Sequence, residues 1–213
     1  MSEEMGTTSF LQVRGRHEDD DHAREDSAER PIGARPFRVA LKLDLLQPSG
    51  SFKLRGVGHL CQREVSKGSV ELVSSSGGNA GLAAAYSARK LGVKGTVIVP
   101  QSTPARGVDL IRKEGAEVEV YGRVWDQAEQ RAREIVEQGG STTSYIPPFD
   151  HPDIFQGNAS IIPELKKQLT GIMKNIDEGK PDAVVCVVGG GGLLGGILTG
   201  LRGVGWEDVP VVA

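Results

Sequence analysis

Polar and apolar positions change rhythm several times along the chain. Residues 1 to 33, including HEDDDHAREDSAERP at 17–31, show no periodic apolar face. With little surface to bury against its ordering entropy, this stretch is expected to be a disordered head. From Phe37, FRVALKLD alternates as a strand does. GSFKLRGVGHLCQREVSKG then sets Phe52, Val57, Leu60 and Val65 at near-helical spacing, which predicts a helix opening at Ser51. VELV at 70–73 reads as a strand, SSSGGN as a loop, and AGLAAAYSARKLG at 80–92 as an Ala-rich helix stopped by glycine. TVIVP, AEVEVYG and TTSYI read as further strands; between them lie helices over 103–115, with Pro104 in the first turn, and over WDQAEQRAREIVEQG.

Beyond this, PPFDHPDIFQGN reads as a loop and NASIIPELKKQL at 158–169 as a helix despite Pro163. The run DAVVCVVGG at 182–190 is apolar enough for a central parallel strand covered on both faces. A helix starts over Gly192–Leu201, and VPVVA at 209–213 opens one more strand. Short strands alternating with helices predict an α/β protein with parallel sheets. Because the sequence stops inside a predicted core strand, it is expected to be part of a longer protein.

Composition narrows the function classes. The 213 residues suffice for one large domain or two small ones, and the 29 glycines fall largely within periodic sequence, which favours tight strand-to-helix turns. The net charge of −3 divides unevenly. Residues 1–30 hold nine acidic and four basic residues, leaving 19 acidic and 21 basic in the rest, with no basic stripe for a nucleic acid. Cys61, Cys186 and four histidines offer neither a disulfide framework nor metal-ligand spacing, so no metal is expected. No apolar run approaches the roughly 20 residues of a membrane span and the N-terminus is acidic, so a cytoplasmic protein without membrane contact is expected.

Three turns carry candidate chemistry. In PSGSFKLRG, Lys53 falls in the first turn of a predicted helix, where the helix dipole opposes a cation. If held there between Phe52 and Leu54 it is a depressed-pKa amine able to attack a carbonyl carbon; otherwise it is a surface lysine. In SSSGGNAG, Ser74–Ser76, Gly77 and Gly78 offer hydroxyls and open amides, with Asn79 as a helix cap. Capping alone and binding of a carboxylate or phosphate both fit. In VVGGGGLLGG, four consecutive glycines after an apolar strand suit either close helix packing or a phosphate cradle of successive N–H groups. The order is neither a dinucleotide fingerprint nor a P-loop. A reactive lysine together with a phosphate cradle meets the needs of pyridoxal phosphate, whose aldehyde takes an amine and whose phosphate takes converging donors.

SGSFKLRG, SSSGGNAGLAAAYSARKLG, PPFDHPDIFQG and VVGGGGLLGG also occur in the order found in the serine and threonine dehydratases. The chain resembles that family over about residues 42–213, its L-serine dehydratase and serine dehydratase-like branches above all. The resemblance implies PLP-dependent fold type II (tryptophan synthase β-like), with two three-layer α/β/α domains, the larger one truncated. The small domain would span 52–147, and a partial large domain 34–51 with 148–213. It implies that Lys53 holds the cofactor with Phe52 beside its ring, and that Asn79 faces the ring's 3′-oxygen. Gly189, Gly190, Gly191, Gly192 and Leu193 would cradle the phosphate, and Ser76, Gly77 and Gly78 would receive the substrate carboxylate.

The implied reaction is α,β-elimination of L-serine to pyruvate and ammonia, and of L-threonine to 2-oxobutanoate, in a homodimer aided by a monovalent cation such as potassium. Gly77, where the better-known branch carries alanine, leans toward the serine dehydratase-like branch. The usual T-P-L segment is replaced by the acidic head and GARPFRVALKLD, and the family extends about 100 residues or more past Ala213. Two alternatives stay open. One is serine racemase or another enzyme of this fold type, which Ser76 leaves possible; the other is an inactive binding or regulatory form.

Overall fold

The computed structural model describes residues 38–172 and 179–213, together with the backbone of 10–14. An antiparallel ribbon opens it, with β1 (Phe10–Arg14) running against β2 (Arg38–Lys42). Five residues of the acidic head, 10–14, pair as a strand with β2. The rest of the head lies outside the described residues.

The ribbon leads to α1 (Lys53–Ser66), then β3 (Glu71–Ser74), α2 (Asn79–Leu91), β4 (Lys94–Val99), α3 (Ala105–Lys113), β5 (Glu117–Val120), α4 (Trp125–Gly139) and β6 (Thr143–Ile146). The four strands β3 to β6 form a parallel sheet in the order β5-β4-β3-β6. Strand alternation decides what covers each face. Leu72, Val97, Val99 and Ile146 point to α1, α2 and α3, whereas Val73 and Ile98 meet Ala128 and Ala132 of α4 on the other side. The chain winds outward from β3 to β4 and β5, then crosses to the far side of β3 for β6. That reversal makes a topological switch point between β3 and β6, and in such sheets ligands bind just beyond the carboxyl ends of the strands there.

Among the described residues, three helices and two short strands follow: α5 (Pro152–Ala159), α6 (Ile161–Ile172), β7 (Val184–Val185), α7 (Gly192–Gly203) and β8 (Val211–Val212). The first was expected as loop. A helix forms because Pro152 suits a first helical position and the His151 ring accepts a hydrogen bond from the Asp153 N–H at 3.1 Å as N-cap. The expected central strand at 182–190 is also corrected. Only Val184–Val185 pairs, in parallel with β8, and Val185 and Val187 are 78% and 75% exposed. The packing explains this: Ile162, Ile197, Leu201 and Trp206 cluster against Val184, Cys186 and Val211 on one side alone. Among the described residues, no helix is long and apolar enough to cross a membrane.

Two contacts bind these parts together. Helix α5 is wedged between α1 and α7 at glycine. A Cβ on Gly56 would lie 2.7 Å from the Ile154 carbonyl oxygen, and one on Gly196 would strike Asn158. Nearby, the guanidinium of Arg55, 4% exposed, donates to both oxygens of Asp44, at 2.7 and 2.9 Å, and to both of Glu164, at 2.8 and 2.9 Å. Lys42 adds a 2.7 Å bond to Glu164 and a 2.8 Å bond to Gln168. Burial disfavours the Arg55 charge, but the hydrogen bonds to Asp44 and Glu164 outweigh it and raise the pKa. Glu164 responds in the opposite sense: burial would raise its pKa, and hydrogen bonds from Arg55 and Lys42 lower it overall.

Gly56→Ala should destabilise the fold by about 1–3 kcal/mol, since Ile154 offers backbone as well as side chain against the new methyl. Gly171→Ala, where a Cβ meets nothing within 4 Å, should be neutral or stabilise by up to about 1 kcal/mol. Urea unfolding of both variants beside the unmodified chain checks the contrast.

Candidate active site

The carboxyl edge of the sheet gathers the pieces. Helices α2 and α5 start there, after β3 and β6, on opposite sides of the switch point. The loop after β3 is Ser75–Gly78, and the loop after β6 begins Pro147–Pro148–Phe149. Lys53 stands beside the second of these. It is the first residue of α1, following a turn in which Gly50 takes φ +76°, a left-handed conformation that suits glycine.

The Lys53 amine donates a 2.6 Å hydrogen bond to the Pro148 carbonyl. It lies 5.5 Å from the centre of the Phe52 ring and 5.8 Å from that of Phe149. Burial lowers its pKa from the ordinary lysine value. The structure therefore supports a half-buried amine at this position over a surface lysine.

The glycine turn meets the same ring. A Cβ on Gly190 would strike Phe149, and one on Gly192 would come 2.8 Å from the Phe149 carbonyl oxygen. Gly191 caps α7 with φ +79° and no side chain caps that helix, so its first N–H groups are open to an anion. A Cβ on Gly189 or Gly191 would meet nothing within 4 Å. An open turn of unshielded amides, joined through one aromatic ring to a desolvated primary amine, fits the phosphate and aldehyde of pyridoxal phosphate. The Leu193 side chain packs against the cluster that holds Ile197, so it is committed to the core.

The serine loop divides its labour. Ser74 donates to the Ile146 carbonyl at 3.0 Å and Ser75 shares a 2.7 Å hydrogen bond with Tyr145, so both hydroxyls fasten β3 to β6. The Ser76 hydroxyl accepts the Gly78 N–H at 3.3 Å. Asn79 does not cap α2 as expected. Gly78 is the N-cap, and Asn79 is the exposed first helical residue, because the extended backbone needed at the cap falls one position earlier. Gly77 admits Thr103 where a side chain would otherwise stand, with Thr103 Oγ1 2.7 Å from an added Cβ.

Several site residues escaped the sequence reading. Pro148 and Phe149 were hidden inside an apparent loop, although an aromatic residue after two prolines is a signal of a rigidly presented ring. Asn158, buried on α5, donates from Nδ2 to the Gly192 carbonyl at 2.9 Å and so fastens the glycine turn to the wedge helix. Nothing in its spacing singled it out.

Comparison with known proteins gives a consistent result. The sequence profile of the family described as pyridoxal-phosphate dependent enzyme matches residues 26–213. The human protein named serine dehydratase-like is 50% identical over 175 residues, covering 82% of this chain and 50% of the relative. The Bos taurus L-serine dehydratase/L-threonine deaminase is 50% identical over 172 residues, covering 81% and 50%. Among solved structures, the fungal L-serine ammonia-lyase of Rhizomucor miehei superposes with a TM-score of 0.73 at 41% identity, covering 82% of this chain and 53% of that one. Serine racemase from Dictyostelium discoideum gives 0.69 at 28%, covering 82% and 53%. The chain spans about half the length of the curated relatives it matches.

The desolvated amine makes a solution prediction. Reductive methylation of Lys53, followed against pH by peptide mass spectrometry, should reach its midpoint below the ordinary lysine value of 10.5, because burial favours the neutral form. A midpoint at or above that value would contradict the site as described.

Proposed function

Because the chain belongs to the pyridoxal-phosphate-dependent enzymes, in their fold type II, we propose that the whole protein is an L-serine ammonia-lyase. It converts L-serine to pyruvate and ammonia, and L-threonine to 2-oxobutanoate and ammonia. The observation that carries this reading is the meeting of Lys53 and the Gly189–Gly192 turn on the single ring of Phe149. The names of the most similar relatives support the choice of substrate.

The residues divide the work by their chemistry. Lys53 would hold the cofactor and is the group placed to take the proton from the substrate Cα; burial lowers its pKa, which favours the neutral amine that a base requires. The N–H groups of Gly189 to Leu193 receive the phosphate, and those around Gly77 and Gly78, with the Ser76 hydroxyl, receive the substrate carboxylate. Phe52 would pack beside the cofactor ring and Asn79 would face its 3′-oxygen. Pyridoxal phosphate, when bound, supplies the electron sink for charge developing at Cα. The Phe52 and Phe149 rings keep water from the amine, so that proton transfer occurs in an environment of low polarity. Loss of the β-hydroxyl with that proton removes water, and hydrolysis of the resulting enamine restores it and frees ammonia.

The same reading assigns residues 52–147 to a small domain and 34–51 with 148–213 to part of a larger one. The sheet of β3 to β6 and the separate cluster around Trp206 support this division. A homodimer, a monovalent-cation site open to potassium in the full-length protein and a cytoplasmic site of action complete the proposal; the likeness of the motifs to the dehydratases supports all three.

Borohydride reduction in the presence of pyridoxal phosphate should place the pyridoxyl group on Lys53, as read by peptide mapping. Lys53→Ala should lower pyruvate release from L-serine by about 10²–10⁴-fold or more. Labelling of a different lysine, or full turnover in the variant, would refute the assignment.

A further inference from the structure

Trp125 lies outside the binding scheme above, yet it reaches the site. It is the first residue of α4, the helix after β5, which places it at the same carboxyl edge as the serine loop and Phe149. Its neighbours Val124 and Asp126 are exposed, whereas Trp125 is half-buried. What it meets is Phe149, with ring centres 6.3 Å apart and planes at 32°, within the range of attractive aromatic pairs. Phe149 is also the ring that approaches the Lys53 amine and stands where a Gly190 side chain would be. A ring turning freely about its side-chain bonds could not serve both neighbours at once.

We propose that Trp125 is a positioning residue, which by packing on Phe149 holds that ring between Lys53 and the glycine turn. The consequence for cofactor binding rests on the function proposed above; the hold on Lys53 does not. The groups packed on the Lys53 amine are uncharged: the Phe52 ring from its own segment, and the Pro148 carbonyl and Phe149 ring from the loop after β6. Exclusion of water by those rings is what sets its proton affinity. If Trp125 is shortened, Phe149 gains room to swing out, water reaches the amine, and the amine loses its fixed relation to the amides at Gly190.

The test uses the full chain with W125L and W125F. In cofactor-free protein, the pH midpoint for reductive methylation of Lys53 should rise by about half a unit or more in W125L and stay unchanged in W125F. Pyridoxal phosphate should bind about three- to ten-fold more weakly to W125L by absorbance titration, with less than about two-fold change in W125F. Circular dichroism and thermal melting report whether the variants fold, and W125M replaces W125L if the latter does not. A midpoint and affinity in W125L, or in W125M in its place, equal to those of the unmutated protein would overturn the proposal. So would equal impairment in W125F. A shifted Lys53 midpoint together with borohydride labelling of another lysine would support the hold of Trp125 on Lys53 and overturn the cofactor assignment alone.

Discussion

The position of the Lys53 amine depends on a buried guanidinium two residues away. Arg55 is held by Asp44 before α1 and by Glu164 on α6, so the first turn of α1 is pinned on both sides. An arrangement of this kind adds little net stability compared with a well-packed apolar one, because taking charges out of water costs nearly what their attraction returns. Its value is directional. Bonds to all four carboxylate oxygens fix the rotation of α1 about its axis, which greasy contacts alone leave adjustable. Losing one partner strands charge in the interior and costs about 3–5 kcal/mol.

Given that rotation, the wedge helix sets the remaining distance. α5 touches α1 through Gly56 and Gly157, and α7 through Gly196, with backbone against backbone. Contacts without intervening side chains leave little play, and Asn158 joins the wedge directly to the glycine turn. Lys53 and the glycine turn thus sit at the starts of separate helices whose spacing is set by a third. Catalysis in general loses rate steeply with small misplacement, so under the proposed function a rigid spacer matters more than extra binding contacts.

The sequence revealed the parts that rest on local chemistry. The short apolar runs VELV and TVIVP, the alanines of α2 and the run of four glycines each carry their own physical reason, and the strands and helix appear where expected. Other features depend on partners distant in the chain. Lys42, Asp44 and Glu164 read as ordinary charged residues until the fold brings them around Arg55, and Phe149 reads as loop until Lys53 and Gly190 arrive beside it. Asn79 was misplaced by one position, because asparagine is the better cap by side chain while Gly78 supplies the required backbone. The exposed Val185, Val187 and Val188 show the reverse failure, since an apolar run reports capacity for burial and not whether a neighbour supplies it.

The split between near and far partners of Arg55 also orders events during synthesis. Asp44 precedes Arg55 by 11 residues, so half of the network can close almost as soon as α1 leaves the ribosome. Glu164 follows Arg55 by 109 residues. At roughly 5–20 residues per second, the helix bearing the amine waits several seconds for its second anchor. Through that interval the parallel sheet of β3 to β6 emerges whole, and α1 can adjust its seat on Leu72 and Ile146 before α6 locks it. The nascent chain therefore acquires its sheet first and the second anchor of α1 last, so the seat of Lys53 is settled only after the loop at Pro148 and Phe149 that shields it has emerged.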